Sequence, residues 1–136
     1  MIYCNNMTDQ EMNEFLQSIG GLENGYYPDR APITDCGFFQ CGNGWFPLIK
    51  ELIEDLISLG WDKQICQVKE KFGTIRFYIN SGGDEIHKRI ITAEKDSSTV
   101  CEVTGKPGEL RTDIGWLRTL CDEEYQKEKE RSNKDK

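Results

Sequence analysis

Three observations predict an α+β fold: three stretches of helical apolar spacing, one stretch of period-2 alternation, and Gly- and Pro-rich breaks between them. At 136 residues the chain suits a single domain. The expected architecture is a small antiparallel hairpin or sheet packed against three to four helices, with a C-terminal knuckle-plus-helix.

Thr8-Asp9-Gln10-Glu11 has the form of a capping box, in which hydroxyl and carboxylate satisfy the free backbone donors of a helix start. Met12, Phe15, Leu16 and Ile19 follow at helical spacing, and Gly20-Gly21 ends a first helix over about 9–19. Residues 22–43 read as a loop whose Tyr26, Tyr27, Phe38 and Phe39 should pack down on the body. Trp45-Phe46-Pro47 opens a second helix, because proline lacks an N–H where the first turn needs none. Its stripe of Leu48, Ile49, Leu52, Ile53, Leu56 and Ile57 marks the core helix, ending near Gly60.

Residues 64–80 read as a hairpin turning at Lys71-Phe72-Gly73, with Ile75, Phe77 and Ile79 on one face and Thr74, Arg76 and Tyr78 on the other. Ser81-Gly82-Gly83-Asp84 then caps a third helix carrying Ile86, Ile90 and Ala93. A short hairpin or knuckle is expected at about 99–113, and a last helix starting near Trp116. The segments are thus an N-terminal helix (1–21), the aromatic loop (22–43), a helix-hairpin-helix core (44–98), the knuckle (99–125) and a charged, fraying tail (126–136).

The 17 Lys and Arg against 24 Asp and Glu give a net charge of −7. That balance disfavours general nucleic-acid binding, which needs clustered cations against phosphates. Ten per cent aromatic content argues against disorder. No apolar run reaches the roughly 18 residues of a membrane span, and Met1-Ile2-Tyr3-Cys4-Asn5 lacks a basic leader pattern. The expectation is a cytoplasmic protein with reduced thiols at Cys4, Cys36, Cys41, Cys66, Cys101 and Cys121.

A zinc knuckle needs two pairs of ligands, one on a tight turn and one at a helix start. Here Thr104 and Glu124 occupy the second position of each pair, which leaves Cys101 and Cys121. A four-cysteine site would have to recruit Cys36 and Cys41; the alternative is metal-free buried thiols, with no cofactor. His87 has no nucleophile or triad partner nearby in sequence and reads as a surface or half-buried helix residue. Glu54-Asp55 and Asp84-Glu85 read as helix-face charges. No hydrolase or transferase motif is present, so no catalytic residue is named.

The hairpin is the best ligand candidate. Lys69, Lys71 and Arg76 against Glu70 give it a net +2 inside an acidic chain. Alternation puts Gln67, Lys69, Arg76 and Tyr78 on one surface, where cations can take a phosphate and the ring can stack a base. An ordinary solvated sheet face is the other reading. Gly42-Asn43-Gly44-Trp45 could present N–H groups to an anion, or serve as a tight helix entry anchored by Trp45.

The strings Cys41-Gly42-Asn43-Gly44-Trp45, Gln67 to Tyr78, and Cys101 followed by Trp116-Leu117-Arg118-Thr119-Leu120-Cys121 resemble a family of small phage and prophage proteins, over about residues 36–125. Such proteins carry Cys-Gly-Asp-Gly-Trp, a Val-Lys-Glu-Lys-Phe-Gly-Gly-Leu-Arg-Phe-Tyr hairpin and a zinc-knuckle-like segment; this chain departs at Asn43, Thr74, Thr104 and Glu124. The last two departures remove two of the four ligands that the resemblance implies. The resulting expectation is a non-enzymatic binder in a bacterial host, sequestering a nucleotide-derived defence signal of cyclic nucleotide or cyclic ADP-ribose type. Lys69, Arg76 and Tyr78 would hold the ligand, with Lys71 and Trp45 as further contacts. The alternatives are a host-protein interaction module using exposed aromatics of 26–46, with homo-oligomers possible, and a nucleic-acid-binding knuckle.

Overall fold

The computed structural model describes residues 7–134, with side chains to residue 131; Cys4, expected as a reduced thiol, lies outside the described residues. Helix α1 (Asp9–Ser18) begins with the expected box: Glu11 N–H donates to Thr8 Oγ1 at 3.1 Å and Thr8 N–H donates to Glu11 Oε1 at 3.0 Å. Gly20 adopts φ +78°, the left-handed turn-off that glycine takes without a Cβ clash, and Gly21 N–H returns to Leu16 O. Helix α2 (Phe46–Ser58) buries Leu48, Ile49, Leu52, Ile53 and Leu56, while Lys50 and Glu54 pair on its outer side.

Strands β1 (Glu23–Asn24), β2 (Phe39–Gln40), β3 (Gln64–Lys71) and β4 (Thr74–Ile79) form one four-stranded sheet. The sheet is mixed: β3 and β4 make the expected antiparallel hairpin, and β1 and β2 pair with β3 in parallel. The stretch 22–43 is therefore not only loop, because two of its dipeptides complete the sheet. Phe39 is buried and Phe38 packs on the core, but Tyr26 and Tyr27 stay at the surface, where Arg30 lies over the Tyr27 ring at 4.0 Å. Their chain is already committed to a turn by Asn24, whose side-chain oxygen accepts from both Tyr26 and Tyr27 N–H.

Helix α3 (Asp84–Asp96) packs Ile86, Ile90 and Ala93 against α2 and β4. The expected hairpin at 99–113 lies later: Val100 bridges Pro107, and β5 (Glu109–Arg111) pairs with β6 (Arg118–Leu120). The last helix, α4 (Asp122–Lys134), starts beyond Trp116, because residues 118–120 extend to complete that ladder. Its charged end is anchored as well as solvated: Glu128 is buried, with its Oε1 2.6 Å from Arg131 Nη1 and 3.5 Å from Arg118 Nη1. No helix of the described residues is long and apolar enough to cross a membrane.

The apolar interior divides in two. The larger core runs from Met12 to Val100, and a small one holds Cys101, Ile114, Leu120 and Cys121. They meet where the 42–45 turn docks on residues 100–102. Trp45 Nε1 donates to Val100 O at 2.8 Å, and Gly44 N–H donates to Glu102 O at 2.8 Å. A Cβ on Gly44 would lie 2.4 Å from the carbonyl oxygens of both Cys101 and Glu102. Gly44→Ala is thus expected to cost about 3 kcal/mol in urea unfolding, through forced backbone separation. Loss of the cap in Thr8→Ala should cost only about 1 kcal/mol.

Candidate functional site

The hairpin turn sets the register of the site. Phe72 and Gly73 have φ of 54° and 84°, the two consecutive positive values of a two-residue type I′ turn, whose twist matches the strands. Lys71 then faces Thr74, Lys69 faces Arg76 and Gln67 faces Tyr78 across the ladder. Val68, Ile75 and Phe77 point inward and are buried. The expected grouping of Gln67, Lys69, Arg76 and Tyr78 on one surface is what the register produces, with Lys71 at its end.

Two features sharpen the site beyond its sequence count. First, Glu70 belongs to the other side of the strand and turns to the loop, where it accepts from Gly73 N–H at 2.7 Å. The outer face carries three cations, and none of them forms an ion pair among the described residues. Second, parallel pairing brings Gln40 opposite Lys69, and Gln67 Nε2 donates to Gln40 Oε1 at 3.1 Å. Arg76 is steadied by Nη1 bonds to Thr74 Oγ1 at 2.6 Å and Ile75 O at 3.1 Å, neither of which uses Nε or Nη2.

Beside this face Tyr78, 40% exposed, lines a groove of about 250 Å³ between β4 and α3. Phe77, Ile79, His87, Ile90, Ile91 and Glu94 complete its walls. Gln40, His87 and Ile91 are members that sequence reasoning did not place at the site. Period 2 placed Thr74 on this face, whereas those three depend on chain segments brought in from afar. Trp45 is a correction: it is fully buried at the junction of the cores, so its indole anchors the fold and offers no ligand surface.

The four-cysteine metal alternative is also corrected. Cys36 and Cys41 belong to the main core and Cys101 and Cys121 to the small one. Among the described residues no group of three or more His, Cys, Asp or Glu side chains is arranged to hold a metal. The two positions that lack zinc ligands serve Cys121 differently: the Thr104 hydroxyl donates to its sulfur at 3.6 Å, and Glu124 contributes its backbone N–H.

Glu102 joins this region to the 42–45 turn. Its Oε2 accepts from Gly42 N–H at 2.9 Å, and its Oε1 lies 3.9 Å from Arg118 Nη2. Burial pushes its carboxyl above the usual range and Glu70 adds to that, against the opposing pull of Gly42 N–H and Arg118. Burial first, then Glu102 and Glu70, pushes the Cys41 thiol up as well.

Comparison of the chain with family models, curated proteins and solved structures finds no significant match. The fold and face define an α+β protein with an unpaired cationic sheet surface next to an aromatic-walled groove. No closer identity follows from similarity.

Because the folded pKa of Glu102 is raised, its favourable contribution is complete below its unfolded pKa and is lost as pH rises through the folded value. Glu102→Gln keeps an acceptor for Gly42 N–H and removes the titration. The stability of this variant relative to the parent is expected to rise by about 1 kcal/mol between pH 4 and pH 8. Urea unfolding at the two pH values checks this; a difference independent of pH would refute it.

Proposed function

We propose that this protein is a non-enzymatic binder of an anionic, base-bearing small molecule, of the cyclic nucleotide or cyclic ADP-ribose class. The observation that supports this best is the set of three unpaired cations beside the Tyr78 groove, in a chain of net charge −7. Arg76 and Lys69, side by side across the ladder, suit a phosphate, and Arg76 keeps two donor nitrogens for it. Tyr78 lies two residues along the same face, about 7 Å away, a spacing that lets a base stack on its ring or enter the groove while the phosphate stays on the cations. Sequestration is the role this proposal assigns: the described site holds binding groups without a nucleophile paired to a base, and the phage-like motifs suit deployment against a host's nucleotide signal.

A second reading is a host-protein interaction module. It is favoured by Tyr26 and Tyr27, 67% and 51% exposed on the turn that follows β1. That surface calls for a protein partner.

Isothermal titration against a panel of cyclic nucleotides and cyclic ADP-ribose isomers is the test. Heat is expected with one member, with affinity reduced about 10- to 100-fold in Arg76→Ala and less in Lys71→Ala. Absence of heat across the panel, or undiminished binding in Arg76→Ala, would overturn the proposal.

A further inference from the structure

We infer that the groove beside Tyr78 is a base-reading subsite selective for guanine, so that the anionic ligand is a guanine nucleotide. This rests on the binding reading above and names the base that the site takes.

Strand β4 is an edge: it pairs with β3 alone. An antiparallel strand turns the N–H and C=O of alternate residues to opposite edges. Asn80 N–H donates back across the ladder to Gln64 O at 3.4 Å, whereas Ile75 N–H donates away from it, to Ser97 Oγ at 2.9 Å. On the partner strand Ile65 O is taken from its far side by Gly25 N–H at 2.8 Å, so Ile65 and Ile79 face each other without mutual hydrogen bonds. Phe77 and Ile79, in step with Ile75, therefore direct their main-chain groups off the sheet, and both residues line the groove. No hydrogen bond among the described residues occupies those groups.

Both ends of the groove are closed. Ser97 holds Ile75 at one end; at the other, a Cβ on Gly82 would lie 3.0 Å from Ile79 Cδ1 and 2.9 Å from Ile86 Cγ2. An added strand would need the whole edge of β4 and finds no room, whereas a flat ring enters from the side. About 250 Å³ is also below the roughly 300–1,000 Å³ of pockets that enclose a drug-sized ligand, so only part of the ligand enters. Tyr78 walls the space on β4, and Ile90 and Ile91 wall it on α3, surfaces between which a base stacks.

Helix α3 runs back along β4 from Gly82 to Ser97, so Glu94 stands at the Phe77 end of the groove and His87 at the Ile79 end. Along the groove the protein offers a donor, Ile79 N–H, then two acceptors, Phe77 O and the Glu94 carboxylate. No side-chain hydrogen bond or ion pair among the described residues engages that carboxylate. The Watson–Crick edge of guanine runs acceptor, donor, donor through O6, N1–H and the N2 amine, and each meets its complement. Adenine matches only the first two positions, and uracil sets a second carbonyl against Glu94.

Isothermal titration of the full chain with 3′,5′-cyclic GMP, cyclic IMP, cyclic AMP and cyclic UMP tests this; cyclic IMP is cyclic GMP without the N2 amine. Cyclic GMP is expected to bind about 10-fold more tightly than cyclic IMP or cyclic AMP, with cyclic UMP weakest. Glu94→Ala should lower the affinity for cyclic GMP about 10-fold and change that for cyclic IMP less than about 2-fold, whereas a role in the fold alone would lower both equally. Exchange of the Ile79 amide, followed by NMR, should slow when cyclic GMP binds. The guanine assignment alone is overturned by equal affinity for cyclic AMP or cyclic UMP, by equal losses in Glu94→Ala, or by heat with cyclic ADP-ribose isomers only. An Ile79 amide already protected without ligand, as pairing with a second copy would make it, also overturns it. Heat with none of these compounds overturns the binding reading as well.

Discussion

The close backbone approach between residues 42–45 and residues 100–102 is the constraint on which the rest of the structure depends. Gly42 and Gly44 are required there because a Cβ on either would sit 2.4 Å from a carbonyl oxygen of the opposing segment. Their N–H groups meet the Glu102 carboxylate and carbonyl, and Trp45 Nε1 meets Val100 O, so three hydrogen bonds fix the docking. The same four residues form the one-turn entry to α2. The position of the main core helix and the seating of the C-terminal unit are thereby one event. The raised pKa of Glu102 follows from this arrangement, since the contact that fixes the carboxylate also removes its water.

The hairpin gains its rigidity from the same junction. Thr119 Oγ1 donates to Gly73 O at 2.6 Å, and Ser97 Oγ accepts from Ile75 N–H at 2.9 Å while donating to Glu94 O. The turn and one edge of β4 are held from the C-terminal side, and Gln40 holds Gln67 from the other strand. Lys69 and Arg76 therefore stand on a backbone with little freedom left, so a bound anion need not order the strands that carry its ligands. The acidic residues of the body do not cancel this charge locally. Glu70, the one acid within the strand pair, is spent on the turn at Gly73 N–H.

Much of the local structure was legible because each signal had a local cause. The Thr8 box, the Pro47 helix start and the Phe72-Gly73 turn each depend on residues within four positions of one another. Alternation alone places Lys69, Arg76 and Tyr78 together, since register follows from a two-residue turn. What stayed hidden is what distance along the chain conceals. Two-residue strands at Glu23–Asn24 and Phe39–Gln40 carry no period, and their parallel pairing exists only once β3 is in place. The helix expected at Trp116 fails for a related reason: extended pairing of Arg118–Leu120 with Glu109–Arg111 outweighs the helical preference of Leu117 and Arg118. Trp45 was readable as an aromatic at a helix entry, but whether it faced ligand or core depended on Val100, more than fifty residues on.

The C-terminal unit shows how a segment with the outline of a metal knuckle is held in its shape by other means. Its private core is only four residues, Cys101, Ile114, Leu120 and Cys121, far too little apolar surface to order it alone. Small units of this size ordinarily rely on a metal, a disulfide or a larger neighbour. Here the neighbour is the main core, engaged through Trp45, Gly44 and Thr119. Inside the unit, Thr104 and Glu124 give hydrogen bonds to the Cys121 sulfur from the positions where knuckle ligands would stand. Donors around a sulfur favour negative charge as a cation would, but more weakly.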